Sequence, residues 1–178
     1  MRRKYCRAYR EMDGVTSIDG DFIISLSEKA KKSQRKRVVH ELHASHQSPC
    51  QRILNAIEPE SYIRPHRHVD RDEYFTCLSG CLICIFFTED GQIEDVVDIS
   101  VHSDVASIIV GVEIARWHTV LSLKSGSVLF ETKDGPFRPA LSKEFAAWSP
   151  CENDTRAAEY LSLLKHRARL FLQKKYKC

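Results

Sequence analysis

Two histidines separated by a single residue, His66 and His68, carry the clearest metal-ligand spacing in this chain of 178 residues. Side chains two residues apart on a β-strand point to the same face, about 6.6–7 Å apart along it. Glu73 follows a polar turn and opens an apolar stretch that ends at Gly80. A carboxylate on the next antiparallel strand can meet both imidazoles, and these are usual ligands of borderline divalent metals. The segment predicts half of a metal site on a hairpin.

A metal site built on two strands needs closure by a third strand. Trp117-His118-Thr119 begins an apolar strand well downstream of the first two histidines, and His118 is the candidate ligand that it offers. The alternative for His66 and His68 is a pair of surface imidazoles on a polar turn. The additional presence of Glu73, Gly80 and His118 favours the metal site.

Short apolar stretches broken by turn signals indicate a mainly β fold. Asp90-Gly91 is a strong hairpin signal, and Ser125-Gly126 and Asp134-Gly135-Pro136 are further turn signals. Antiparallel strands at this spacing predict a barrel or a double-sheet jelly roll. The predicted strands are 61–68, 73–79, 81–88, 93–100, 107–114, 117–123 and 127–133; residues 51–57 fit a strand or a short turn of helix.

Helical periodicity occurs near both ends of the chain. One amphipathic helix is predicted from Phe22 to about Lys36 and another over residues 155–175. We therefore expect a flexible N-terminal arm over residues 1–20, a central β domain with its N-terminal helix over 21–155, and a basic C-terminal helix over 156–178. Met12 offers an alternative start that would remove the first eleven residues.

Charge and composition narrow the functional classes. Residues 1–39 and 156–178 each carry a net charge of +6, whereas residues 40–155 carry −9. The basic ends lack interleaved aromatics and any recognition motif, so nucleic-acid binding is a distant alternative. No apolar run reaches the 18 or so residues needed to span a bilayer. The seven scattered cysteines, an odd number, argue against a disulfide framework and predict a cytoplasmic protein.

The pair Cys81 and Cys84 forms a CxxC motif within a stretch that is predicted to be a strand. Residues three apart on a strand face opposite ways, so this pair is badly placed to chelate a metal ion. Apolar packing is the favoured interpretation, because a free cysteine behaves as a small buried hydrophobe.

The spacing His-x-His, four residues, Glu, six residues, Gly resembles the first motif of the cupin superfamily. The resemblance implies a cupin-type double-stranded β-helix, or jelly-roll barrel, with one divalent metal (Zn, Fe, Mn or Ni) on His66, His68, Glu73 and His118. The motif around His118 departs from the family pattern, since Glu113-Ile-Ala115 stands where Pro-x-Gly is expected and Ser122 where Asn is expected.

A closer resemblance, over about residues 22–162, is to the WbuC-type cupin fold metalloproteins, small bacterial proteins of which one is encoded in an O-antigen gene cluster. It implies a metal-binding cupin with a link to surface polysaccharide, and it suggests a homodimer. The segments that carry it are Ser33-Gln-Arg-Lys-Arg37, Gln51-Arg52, Ser61-Tyr-Ile-Arg-Pro-His-Arg-His68, Trp117-His-Thr119, Glu131-Thr-Lys-Asp-Gly-Pro-Phe137 and Phe145-Ala-Ala-Trp-Ser-Pro-Cys-Glu152.

Strand parity adds four pocket candidates. On an extended strand, Tyr62 and Arg64 share the face of the two histidines, and an inward arginine beside a metal suits a carboxylate or phosphate of a substrate. Glu131 is a candidate catalytic acid or base, and Lys133 a candidate substrate-binding residue on the same strand face.

The function predicted from these residues is binding of, or action on, a small sugar-related or carboxylated ligand. An enzyme of this kind would be an isomerase, an epimerase or an oxygenase-like protein, and the fold does not choose among them. The alternatives are a metal-stabilised ligand-binding module without turnover and, more remotely, metal-free sugar epimerisation.

Overall fold

The computed structural model describes residues 9–12, 15–101, 104–139 and 143–177. Two helices and twelve strands lie within these ranges. In chain order they are β1 (Tyr9–Met12), β2 (Val15–Ile18), α1 (Gly20–Lys32), β3 (Arg37–Glu41), β4 (Cys50–Ile57), β5 (His66–Arg67), β6 (Glu73–Ser79), β7 (Leu82–Phe87), β8 (Ile93–Asp98), β9 (Val110–Val112), β10 (His118–Ser122), β11 (Ser127–Asp134), β12 (Glu144–Phe145) and α2 (Ala157–Lys175).

Two five-stranded antiparallel sheets form the body of the protein. One has the strand order β12-β5-β10-β7-β8, and the other has the order β3-β4-β11-β6-β9. The predicted mainly β fold with a helix near each end is confirmed. The two sheets form a sandwich, and no strand pairing among the described residues closes them into a hydrogen-bonded barrel.

Strand β7 explains why the sequence contains a continuous apolar run. Ile83 and Ile85 pack with Leu161 and Leu164 of α2, which covers the outer face of this sheet. Their neighbours Leu82, Cys84 and Phe86 pack on the inner face, between the sheets. A strand covered on both faces needs apolar residues at every position, not at alternate ones. Cys84 is therefore part of the core, as the apolar interpretation of the CxxC predicts.

Helix α1 covers the outer face of the second sheet. Phe22, Leu26 and Ala30 pack against Leu54 and Val128 of strands β4 and β11. The helix begins two residues before the predicted start and ends four residues before the predicted end. The Asp19 carboxylate accepts a hydrogen bond from the backbone N–H of Phe22 at 3.0 Å, which caps the N-terminus. The chain then leaves the helix, and Lys36 has a φ of 54°.

The expected N-terminal arm lies partly outside the described residues, since residues 1–8 and 13–14 are not among them. Strands β1 and β2 pair with each other in antiparallel register, from Tyr9 opposite Ile18 to Met12 opposite Val15. This short hairpin forms a sheet separate from the sandwich. None of the described helices is long and apolar enough to cross a membrane.

The structure shortens one predicted strand that matters for function. Of residues 61–68, only His66–Arg67 form a strand. The Ile63 carbonyl accepts a hydrogen bond from the Thr119 hydroxyl at 2.6 Å instead of joining a ladder. Pro65 has no N–H to donate, which also disfavours regular pairing. Residues 51–57, for which strand and helix were both open, lie in strand β4.

Candidate metal centre

The four predicted ligands meet between the two sheets. His66 and His118 lie directly opposite each other on β5 and β10 of the first sheet, and His68 follows β5. Glu73 begins β6 of the second sheet. All four side chains are buried, and one potential ligand atom from each lies within 4.8 Å of the others. Glu73 thus joins the histidine pair from the second sheet, and His118 joins it from the neighbouring strand of the first sheet.

Backbone carbonyls orient two of the three imidazoles. Nδ1 of His66 lies 2.9 Å from the carbonyl oxygen of Arg64, and Nδ1 of His118 lies 2.9 Å from that of Arg116. A carbonyl oxygen only accepts, so Nδ1 carries the hydrogen in both rings. In a neutral imidazole the lone pair is then on Nε2. This is the arrangement in which proteins present a histidine nitrogen to a metal ion.

The contacts of Glu73 test whether the site fits a cation. Its two carboxylate oxygens lie 3.1 Å from Nε2 of His118 and 2.9 Å from Nε2 of His68. A carboxylate oxygen and an unprotonated Nε2 both carry lone pairs, so a proton or a cation belongs between them. Four ligands at 2.0–2.1 Å from a tetrahedral metal lie about 3.3 Å apart, close to these distances. The donor set therefore fits a divalent metal ion.

His68 provides the most direct sign of a missing bonding partner. Its side chain is buried, yet neither ring nitrogen makes a hydrogen bond of acceptable geometry to any described residue, despite the short approach to Glu73. Buried polar nitrogens in native proteins almost always have a partner. A metal ligated by Nε2 would supply that partner.

Lys133 and Glu131 extend the polar cluster along β11. Lys133 lies opposite Glu73 in the β6–β11 register, and its Nζ is 2.9 Å from Oε1 of Glu73. The same ammonium forms an ion pair with the Glu131 carboxylate. Burial would lower the pKa of Lys133, but the charges of Glu131 and Glu73 outweigh it and raise that pKa above its ordinary value. Lys133 therefore stays charged.

Burial and the neighbouring side chains act in opposite directions on Glu73. Burial would raise the pKa of its carboxyl group, but the imidazoles of His118 and His68 next to its oxygens and the charge of Lys133 hold that pKa well below its ordinary value. Burial also lowers the pKa of His66 well below 6.5. The carboxylate and this imidazole thus have the ionisation states that metal ligation requires.

Tyr62 and Arg64 are directed away from this cluster. The Tyr62 hydroxyl donates to the carbonyl of Pro150 at 2.9 Å. The Arg64 guanidinium donates to the Ser149 hydroxyl at 3.1 Å and to the Ala146 carbonyl at 2.7 Å. Both positions precede β5, so the alternation of an extended strand does not apply to them. The structure brings together the four predicted ligands, Lys133 and Glu131. Tyr62 does not contact them, and the Arg64 guanidinium lies over the ring of Phe145, 5.4 Å from its centroid.

Strand β12 is part of the site that the sequence did not reveal. It pairs with β5, with Phe145 opposite His66 and Glu144 opposite Arg67. The Phe145 and His66 rings lie 6.2 Å apart, so this phenyl group is a neighbour of one of the candidate ligands. Residues 139–150 have no recognisable periodicity, and a two-residue strand is too short to produce one.

Comparison with known proteins adds a family match over part of the chain. A family model described as a domain of unknown function, DUF6016, matches residues 18–99, which is less than half of the chain. No curated protein matches at the significance level applied.

Solved structures show a shared fold at low sequence identity. A protein from Shewanella oneidensis superimposes with a TM-score of 0.55 at 11% identity, over 87% of this chain and 98% of its own. Oxalate oxidase in complex with the substrate analogue glycolate superimposes with a TM-score of 0.51 at 12% identity, over 78% of this chain and 75% of its own. The capsular polysaccharide assembling protein CapF from Staphylococcus aureus superimposes with a TM-score of 0.50 at 17% identity, over 64% of this chain and 32% of its own.

These neighbours are cupin-type proteins, so the fold of this chain is of the cupin type. The chain spans about a third of the length of CapF. At identities of 11–17% the likeness establishes the fold alone.

Proposed function

We propose that this protein is a cupin metalloprotein that holds one divalent metal ion through His66, His68, Glu73 and His118 and presents it to a small ligand. The observation that carries the proposal is the pair of short approaches between Glu73 oxygens and histidine Nε2 atoms, together with the unsatisfied ring of buried His68. Zinc, iron, manganese and nickel are all compatible with imidazole and carboxylate ligands. A bound ion supplies Lewis acidity or an activated water.

The surrounding residues would prepare this chemistry. The carbonyls of Arg64 and Arg116 keep the hydrogens on Nδ1 of His66 and His118, so that Nε2 is free to bind. Lys133 holds the Glu73 carboxylate in place through Oε1. Glu131, ion-paired with the same ammonium, is our candidate for proton transfer at its carboxylate oxygens. Phe145 lies beside the His66 ring on the side of β12.

We propose a sugar-related or carboxylated ligand and a cytoplasmic location. The resemblance to WbuC-type cupins supports a role linked to bacterial surface polysaccharide, and the fold shared with the capsular polysaccharide assembling protein is compatible with it. The scattered cysteines support a reducing compartment. Metal-dependent isomerisation or epimerisation and oxygenase-like chemistry are the reaction classes to assay first.

Metal analysis of four proteins tests the proposal. Wild type, purified without chelators, should contain about one equivalent of metal, and His66→Ala and His118→Ala should lose most of it. His46→Ala is the matched control, since its exposed imidazole lies on the surface. A wild type devoid of metal refutes the proposal, and full occupancy in His118→Ala shows that the ligand set is misassigned.

A second candidate function is a ligand-binding module in which the metal has only a structural role. The near-complete burial of all four ligands favours it, because a structural site is closed. Water-proton relaxation of the Mn²⁺-loaded protein separates the two functions. A rapidly exchanging water on the metal supports the catalytic function, and its absence supports the module.

A further inference from the structure

A second group of two imidazoles and a carboxylate lies at the end of β3. Glu41 is the last residue of this strand, His43 follows it, and His46 lies in the turn that leads to β4. The two carboxylate oxygens of Glu41 approach different rings. Oε2 is 3.6 Å from Nε2 of His43, and Oε1 is 3.3 Å from Nε2 of His46. The carboxylate thus lies between two imidazole nitrogens, as Glu73 does in the candidate metal centre.

His43 has a buried ring nitrogen without a partner. Its side chain is only 1% exposed. Nδ1 lies 3.1 Å from the carbonyl oxygen of Arg52 and 3.2 Å from the backbone nitrogen of the same residue, so it can donate to the one or accept from the other. With either tautomer, Nε2 makes no hydrogen bond of acceptable geometry to any described residue. Buried polar nitrogens almost always have a partner, and a metal ion ligated by Nε2 would supply it.

Contacts of the turn keep His46 near His43. The His46 ring packs edge-on against Phe137, with the centroids 5.0 Å apart, and the His46 carbonyl accepts a hydrogen bond from the Phe137 N–H at 2.7 Å. The His43 and His46 rings lie 6.5 Å apart, compared with 6.0 Å for His68 and His118 in the candidate metal centre. The His46 side chain is 56% exposed, so it has room to turn and close this small difference.

The donor set of this cluster suits zinc. Imidazole and carboxylate are zinc ligands, whereas calcium and magnesium prefer oxygen ligands alone. Ligands of a tetrahedral zinc ion lie about 3.3 Å apart, close to the two approaches of Glu41. Two imidazoles and one carboxylate leave a fourth position for water. Glu41 and His46 are about half exposed, so an ion held here would remain in contact with solvent.

We propose that Glu41, His43 and His46 form a second metal site that takes up a zinc ion from solution. None of its residues belongs to the candidate metal centre, so this inference does not rest on the proposed function. The cluster is looser and more exposed than that centre, and its ion therefore binds more weakly. Protein purified without added metal loses this ion and keeps about one equivalent. A bound ion would tie the turn that contains His46 to the end of β3.

Calorimetric titration of the metal-free full chain with Zn²⁺ tests the second site. Wild type should bind two equivalents, one tightly and one more weakly. Glu41→Gln keeps the shape of the side chain and removes its charge, and His46→Ala removes one imidazole. Each should weaken the second equivalent at least about tenfold and leave the first unchanged, because each removes one of three ligands. In ¹⁵N NMR spectra, the Nε2 resonance of His43 should shift as the second equivalent binds.

Two further variants separate this inference from the proposed function. His166→Ala removes an exposed imidazole of α2 and should leave both equivalents in place. His118→Ala should lose the tight equivalent and retain the weak one. The second site is refuted if wild type binds one equivalent that His118→Ala removes, or if Glu41→Gln and His46→Ala bind both equivalents with wild-type affinity. The proposed function stands in both cases. A single equivalent that His46→Ala removes supports the second site and refutes the proposed function.

Discussion

Replacing Lys133 with methionine should destabilise the metal-free protein far more than it destabilises the metal-loaded protein. The Lys133 ammonium contacts the carboxylates of Glu73 and Glu131, and all three side chains are largely buried. Methionine retains most of the apolar stem and removes the charge. Without metal, the variant therefore leaves two carboxylates close together with no cation between them.

The expected magnitude follows from the burial of this cluster. Removing one partner of a buried ion pair typically costs about 3–5 kcal/mol, because the remaining charge is uncompensated. For a protein of this size, about 2–4 °C of melting temperature corresponds to each kcal/mol, so the metal-free variant should melt roughly 6–20 °C below wild type. A metal ion on Glu73 supplies positive charge at the same place. Saturating metal should therefore stabilise the variant more than it stabilises wild type.

Thermal and urea unfolding give the stability of wild type and of Lys133→Met, each measured in chelator and in saturating Zn²⁺. Lys31→Met is the matched control, since it removes an exposed ion pair with Glu28 on α1 and should leave the free energy of unfolding close to the wild-type value. If the unfolding free energy of metal-free Lys133→Met lay within about 1 kcal/mol of the wild-type value, the reasoning about the buried cluster would be contradicted. An equal metal-induced gain in both proteins would show that the ion does not bind beside Lys133.

Three further predictions concern tautomers, pH and packing. In ¹⁵N NMR spectra of the metal-free protein at neutral pH, His66 and His118 should show the tautomer with hydrogen on Nδ1. The opposite tautomer in either ring would contradict the inference that its backbone carbonyl partner leaves Nε2 free to bind a metal. The metal-free protein should lose stability as the pH falls below about 6.5, because the unfolded chain then protonates His66 whereas folded His66 stays neutral. It should lose more stability below about 4.5, where the unfolded chain protonates Glu73 and the folded protein keeps it ionised. A urea midpoint that rises on acidification would contradict this prediction. Leu121→Ala should cost about 2–5 kcal/mol because the side chain is fully buried in the core, whereas Leu163→Ala, at an exposed position of α2, should cost less than 1 kcal/mol in the same urea titration.

The metal-ligand types and much of the β architecture could be predicted from the sequence because they depend on local patterns. Spacing of two along a strand placed His66 and His68 together, and a turn followed by Glu73 offered a carboxylate on the facing strand. The continuous apolar run of β7 and the turn at Asp90-Gly91 are likewise local features. In each case the relevant residues lie within a few positions of one another.

The predictions for Tyr62 and Arg64 show where local reasoning ends. They assumed that residues 61–68 form one extended strand, whereas regular pairing includes only His66–Arg67. The arginine instead donates hydrogen bonds to Ser149 and Ala146, more than 80 residues away in sequence. Alternation predicts side-chain directions only where the backbone continues as a regular strand, and residues 61–65 lie outside β5.

What the sequence by itself determined was the chemical character of the site, three imidazoles and a carboxylate on β-strands. The sequence also offered Lys133 and Glu131 as neighbours of the site, and the tertiary structure decided the others. The two-residue strand β12 pairs with β5 across a separation of nearly 80 residues and places Phe145 beside His66. Such a pairing depends on the packing of the whole sandwich, because two residues have too few hydrogen bonds to form a strand alone.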